Sequence, residues 1–327
     1  MLFNINELKE NIKNLKVVVI GDYSLDQNWY MDAKFDKKLD YNDDITFALT
    51  DIVYSPGGAG NVANNFIRLG ASVKCIGLIG DDGPGYQLMK CLENSGADST
   101  GMIKTFEKET HTCIRPVRIK EGKNIALNEI ITSKFVNTSC QTELLVKNIV
   151  RDVVDDVDAF VLVEQFDDNN QGIFTDFIRR EIISLSKIHE DKIFIVDSRK
   201  YIDQYENMYL KCNKSEFAGI SGDLKAYKAL FITCGENGIV FTDSSGRTGS
   251  ADAIKVTQEI NTCGAGDSAT AGIVTGLYSG YNIKKAAMLG NIMASVTIKN
   301  LDSTGYPTYE EIAETVESNQ LLDFKKI

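Results

Sequence analysis

The chain reads as an α/β protein, a doubly wound and mostly parallel sheet with helices on both faces, carrying a small β-sheet lid. Three observations predict this. Short runs such as 17–20 (VVVI) and 159–163 (AFVLV) are apolar throughout, as strands buried on both faces are. Segments with helical spacing separate them, so β and α units alternate and right-handed crossovers give a parallel sheet. Between Trp29 and Ser55, and again over 112–130, the pattern changes to alternation with many Lys, Asp and Asn, which suits strands exposed on one face. The 327 residues read as one domain, 1–327, whose discontinuous lid comes from about 30–55 and 100–131.

Composition narrows the partners. With 46 acidic and 35 basic residues the net charge is -11, which argues against a nucleic-acid surface and leads us to expect a soluble cytoplasmic protein. The seven cysteines are scattered and contain no C-x-x-C pair, which fits reduced thiols. His111 and His189 are too few for a histidine-rich metal site. No window approaches the roughly 20 apolar residues of a membrane span, so no membrane partner is expected.

Taken in order, the first strand (16–20) ends at Gly21-Asp22. Ligands gather at the carboxyl ends of such strands, so Asp22 and Asp26 are either partners for substrate hydroxyls or turn residues. No G-x-G-x-x-G follows, and G-x-x-x-x-G-K-[ST] is absent, so phosphate must be held by another loop. Four lid strands are expected at 45–49, 52–54, 112–119 and 124–130, the last two joined by Glu121-Gly122-Lys123. Their apolar face closes over the active site, pairs with a second subunit to make a homodimer, or extends the edge of the main sheet. Asp43, Asp44, Lys120, Glu121 and Lys123 crowd the strand ends and work toward solvating it.

Pro56-Gly57-Gly58-Ala59-Gly60-Asn61 leads into a helix (Val62, Phe66, Leu69) that stops at Gly70. Its glycines let backbone approach a ligand, and Asn61 can donate to and accept from sugar hydroxyls. A strand at 73–79, a turn at 80–85 and a helix at 86–94 follow. Helices at 142–154 and 173–188 alternate with strands at 159–163 and 193–196, the latter ending at Asp197. Glu164, just past a strand end, either meets a substrate hydroxyl or sits in a solvated loop. A short strand (209–212) precedes Asn213-Lys214-Ser215-Glu216, and two strands flank Gly235-Glu236-Asn237-Gly238, which is either a nucleotide-binding turn or an ordinary hairpin.

The stretch Asn261-Thr262-Cys263-Gly264-Ala265-Gly266-Asp267-Ser268 opens a run of small and apolar residues with Ala269, Ile273 and Leu277 on one helical face. Small residues let backbone N–H groups converge on an anion at the helix start. Asp267 lies in the first turn, where the macrodipole favours the carboxylate, within reach of a bound phosphate. The combination suggests phosphoryl transfer to a hydroxyl; the competing reading is a glycine-packed helix start with a capping Asp.

These residues resemble the ribokinase (PfkB) family of carbohydrate kinases. Gly57-Gly58-Ala59-Gly60-Asn61-Val62-Ala63, with Gly70 and Gly80 downstream, and the 261–267 stretch with Ala271-Gly272-Ile273 match two family patterns, and the resemblance extends over 16–309. It implies a ribokinase-like fold and ATP-dependent phosphorylation of a sugar or sugar phosphate. It implies that Asp267 is the base and that the amides of Gly264, Ala265, Gly266 and Asp267 form an anion hole. Asp26, Gly57, Gly58 and Asn61 would hold the sugar, with Glu164 as a further candidate. Asn213, Thr233, Gly235, Gly238 and Asn291 would line the ATP site, and Glu216 would organise Mg²⁺ through water. Dimerisation through the lid is common in such kinases.

Two departures stand out. Asn261 replaces the commoner Asp, which bears on dependence on a monovalent cation such as K⁺, and the chain between Asn213 and Thr233 is short, with Ser221-Gly222-Asp223 in place of most of a helix. The opening at 21–30 looks most like the heptose-phosphate kinase branch but lacks the proline-containing segment expected next; adenosine, ribose and fructose phosphate stay open as acceptors. The rival function is a non-catalytic sugar- or nucleotide-binding regulator, against which the presence of Asp267 argues, because binding alone needs no base.

Overall fold

Strand β1 (Lys16–Gly21) explains the layering. Val17 and Val19 belong to one apolar core and Val18 and Ile20 to the other, so each face of the strand is covered. The computed structural model describes residues 3–41, 44–132, 136–168, 170–301 and 304–319; Asp43 lies outside them. Helix α1 (Ile5–Asn14) precedes β1, and β2 (Tyr23–Asp32), β3 (Lys37–Lys38), β4 (Ile45–Thr46) and β5 (Leu49–Gly58) lead to α2 (Ala59–Arg68). Next come β6 (Ser72–Gly80), α3 (Gly83–Ser95), β7 (Asp98–Thr105), β8 (Thr112–Lys120), β9 (Lys123–Ala126) and β10 (Ile130–Ile131). The chain continues through α4 (Cys140–Val153), β11 (Ala159–Glu164), α5 (Asp176–Ile188), β12 (Ile193–Ser198), β13 (Tyr209–Asn213) and α6 (Lys214–Ala218). It ends with β14 (Ala229–Thr233), β15 (Ile239–Asp243), β16 (Thr248–Ala251), α7 (Ala265–Tyr278), α8 (Ile283–Thr297) and α9 (Tyr309–Ser318).

The main sheet has the order β16-β15-β14-β13-β12-β11-β1-β6-β7 and is parallel except where β15 pairs with β14 and β16. Helices α1, α2, α3, α7, α8 and α9 cover one face, and α4 and α5 the other. The expected doubly wound architecture is therefore present. A separate sheet of order β10-β8-β2-β5, with β9 paired to β8, forms the lid. Its strand β2 leaves the carboxyl end of β1 after a single residue, Asp22, so the lid is rooted where ligands of such sheets gather.

Several sequence expectations need correction. Residues 23–32 form the central lid strand, although Ser24, Asp26, Gln27 and Asn28 give them no strand signature; pairing on both edges overrides propensity. The strand expected at 45–49 is only β4, paired to β3 outside the lid sheet, while 52–54 belongs to the longer β5. The run 124–130 divides into β9 and β10. Residues 98–105, within the span assigned to the lid, are β7 and pair with β6 in the main sheet. The helix expected from 173 starts at Asp176, because the Thr175 hydroxyl caps it by accepting from Ile178 N at 3.2 Å. Helix α2 starts at Ala59, behind Gly58 with φ of 57°.

Candidate active site

The strand ends, the lid and the start of α7 surround an open cleft of about 670 Å³. Gly264 caps α7 at φ 77°, and a Cβ there would come within 2.3 Å of Thr304 Cγ2. Ser268 N donates to Gly264 O at 3.0 Å as the first bond of the helical ladder, and the Ala265 amide donates to Thr262 O at 3.3 Å. The amides of Gly266 and Asp267 thus precede the ladder at the positive end of the helix. Of the four amides expected to form an anion hole, that of Ala265 is taken up by Thr262 O.

Asp267 opens onto this cleft, and its carboxyl is pushed up to about 7. Burial is the main cause and the charge of Asp197 adds to it; Lys211, Arg199 and a hydrogen bond with Asn61 oppose them. The shift runs opposite to the one that the macrodipole alone would give. A carboxyl with that affinity exchanges its proton near neutral pH.

On the lid side, Asp26, Gly58 and Asn61 line the cleft. Asp26 accepts from Arg115 Nη1 at 2.8 Å and from Ser24 Oγ at 3.1 Å, and Arg115 Nε also donates to Glu129 at 2.8 Å. Gly57 lies behind this carboxylate; a Cβ on it would meet Asp26 Oδ1 at 2.1 Å. Asn61 sits in the first turn of α2, where its Oδ1 accepts from Tyr306 Oη at 3.0 Å. Asn65, one turn on, donates to Asn61 O at 2.8 Å and accepts from Ser268 Oγ at 2.7 Å, which joins the sugar-side helix to the helix carrying Asp267. Asp22 also reaches the cleft, but its oxygens accept from the amides of Gln165, Phe166 and Ile173 at 2.9, 3.3 and 3.2 Å. It fixes the loop after β11.

Across the cleft stand Asn213, Glu216 and Thr233. Asn213 Oδ1 accepts from Glu216 N at 2.9 Å and Glu216 Oε2 from Asn213 N at 2.6 Å, a capping box that starts α6. Between these and Asp267 the sequence reading passes over Lys211, a charged residue inside a buried strand, whose Nζ lies 2.5 Å from Asp197 Oδ2. Its place in an otherwise apolar run was the available signal. Arg115, Arg199 and Tyr306 were equally unmarked, their significance arising only from tertiary contact. Among the described residues no group of three or more His, Cys, Asp or Glu side chains is arranged to hold a metal ion. A donor set in which Glu216 and Asp197 already have partners suits a hard cation that arrives on phosphates and keeps its waters.

Other expected residues stand away from the cleft lining. Glu164 is buried against Arg179 and accepts from Ser198 Oγ at 2.7 Å and Tyr205 Oη at 3.2 Å, so its carboxylate braces β11 against β12 and α5 and lies off the cleft lining. Asn291 is buried and donates to Ala251 O and Asp252 O at 2.8 and 3.1 Å. Gly235 and Gly238 form the turn between β14 and β15, Gly238 packing where a Cβ would meet Ala251 O at 2.2 Å. Asn261 Oδ1 accepts from Cys263 N at 3.0 Å and shapes the loop before α7.

The pattern of the pfkB family carbohydrate kinases matches residues 14–308. A protein of Buchnera aphidicola subsp. Schizaphis graminum described as an uncharacterized sugar kinase is 26% identical, over 95% of this chain and 96% of its own length. The bifunctional protein HldE of Helicobacter acinonychis is 25% identical over 91% of this chain, which spans only 65% of that relative. Among solved structures, Arabidopsis thaliana ribokinase complexed with ribose and ATP has a TM-score of 0.65 at 16% identity, covering 93% of this chain and 99% of that one. A putative phosphofructokinase from Staphylococcus aureus has a TM-score of 0.68 at 18% identity, covering 93% and 96%. At such identities the structural likeness speaks for the fold.

Proposed function

The chain belongs to the pfkB family of carbohydrate kinases, and from that premise we propose that it transfers the γ-phosphoryl group of ATP to a hydroxyl of a sugar or sugar phosphate, with Asp267 as general base. One observation carries the reading: Asp267 and the leading amides of α7 face a cleft lined by Asp26 and Asn61 on one side and by Asn213, Glu216 and Thr233 on the other. The acceptor sugar lies against Asp26, Gly58 and Asn61, which offer hydroxyl partners of both kinds. ATP would lie on the opposite side, against Asn213 and Thr233, and Glu216 would hold its Mg²⁺ through water, the cation supplying charge neutralisation at the phosphates. Above pH about 7 Asp267 is mostly ionised and takes the proton of the attacking hydroxyl, while the Gly266 and Asp267 amides receive charge on the phosphoryl oxygens. Any K⁺ requirement belongs to the loop held by Asn261 and is read by exchanging K⁺ for an organic cation.

The lid has a second role in this proposal, as a homodimer interface. Asp26, Cys113 and Ile131 share a row that faces the cleft, so the next row, Gln27, Ile114, Tyr54 and Ile130, faces away. Trp29 and Ile52 continue that outer face beside the buried Pro116, and a two-fold copy would cover its exposed apolar residues, Tyr54 and Ile130.

A panel of sugars and sugar phosphates, assayed for ATP consumption with Mg²⁺, tests the function. At least one acceptor is expected to raise ATP turnover 100-fold or more above the acceptor-free rate, on the order of the general-base contribution. Tight binding of acceptors with no turnover on any of them would favour the regulator instead.

A further inference from the structure

We propose that Lys211 is a catalytic residue of the transfer, its ammonium bonding a non-bridging oxygen of the migrating phosphoryl group beside the α7 amides. The assignment rests on the kinase reading above. Lysine is almost never fully buried without a partner, and here the side chain is 4% exposed with the exposed part turned to the cleft. Its position relative to the anion hole is close: a Cβ added to Gly266 would lie 3.5 Å from Nζ. That position is fixed. Asp197 Oδ2 holds Nζ at 2.5 Å, and Thr270 Oγ1 lies 3.1 Å from the same oxygen and 3.0 Å from Gly266 O, so Asp197, Thr270 and the amide-bearing turn form one assembly.

The competing role is a structural ion pair. A buried pair adds little stability over apolar residues of similar size, because desolvation offsets the attraction. Stability alone therefore gives weak reason for a Lys–Asp pair here, whereas an anion gathering charge at this spot gives a strong one. Burial would lower the proton affinity of Lys211, but Asp197, Asp267 and Glu216 together raise it, so the group stays charged. In the step itself the acceptor oxygen forms a bond to the γ-phosphorus, and the bond from that phosphorus to the β–γ bridging oxygen breaks. The hydroxyl proton goes to Asp267, ADP leaves with the bridging oxygen, and Lys211 keeps its proton throughout. Near a carboxylate base and an anionic phosphate, that fixed cation lowers the repulsion the transfer must overcome.

The test separates ground-state from transition-state binding. Calorimetric titration of the full chain with MgADP, and with MgADP plus aluminium fluoride as a mimic of the planar phosphoryl group, is compared between the parent and Lys211→Met. MgADP affinity should stay within about threefold, whereas the gain from fluoroaluminate should fall on the order of 100-fold. Because Lys211→Met leaves Asp197 buried without its partner, Asp197→Asn/Lys211→Met supplies a neutral replacement of the pair and should show the same loss. Variants that gain from fluoroaluminate as the parent does would overturn the role of Lys211 alone. A parent that binds no MgADP, or gains nothing from fluoroaluminate, would overturn the kinase reading itself, and this assignment with it.

Discussion

On the kinase reading proposed above, the burial of Asp267 suits a base that works near neutral pH and makes its ionisation costly to the fold. Its carboxyl titrates near 7 in the folded chain against an ordinary 3.8, so between those values the folded state holds a proton that the unfolded state releases. Stability therefore falls as pH rises from about 4 through 7, and the penalty is complete above 7. Asp267→Asn removes it: urea unfolding should show the variant more stable than the parent at pH 8, on the order of 2 kcal/mol, with the difference shrinking as pH drops toward 4. A variant less stable than the parent at pH 8 would remove the desolvation argument. That this residue and its glycines start a helix at the cleft was legible, because a helix start needs only local backbone geometry. Glu164 misled because a strand end is visible in sequence, whereas the guanidinium of Arg179 that occupies it is brought there by the fold. Lys211 was passed over for the converse reason: its place in an apolar run marks it as unusual, but nothing local says that it pairs with Asp197 at the cleft.

The alternating β and α units were readable because apolar runs and helical periods are one-dimensional signals, and both cores formed where those patterns predict. Lid strand β2 was not, since its polar residues serve the cleft and its pairing comes from β5 and β8. That strand also explains Gly57. With a Cβ only 2.1 Å from Asp26 Oδ1, Gly57→Ala must displace the carboxylate or spread β2 from β5. The expected result, by titration, is a loss of acceptor affinity of about 10-fold or more, the ratio a 1–3 kcal/mol overpacking strain implies, with MgADP affinity within about threefold. Equal losses for both ligands would place the damage outside the lid's sugar side.

At the scale of the whole molecule the lid raises the question of its outer face. Ile130 and Tyr54 are 55% and 38% exposed there, and Phe47 covers the Arg118 guanidinium at 4.3 Å. Sedimentation at micromolar concentration should find a dimer that dissociates on Phe47→Asp or Ile114→Asp; a monomeric parent, or a dimer indifferent to both, would assign that face another role. Among the described residues no helix is long and apolar enough to cross a membrane. In the proposed function, the helices on both faces of the sheet and the lid rooted at β1 serve to bring acceptor, phosphate and Asp267 into one cleft. The most direct measurement of that claim is steady-state ATP turnover of folded Asp267→Asn at pH 8 with the acceptor the panel identifies. Turnover should fall about 10²- to 10⁴-fold while MgADP affinity stays within about threefold of the parent; a rate within a few-fold of the parent would contradict the account.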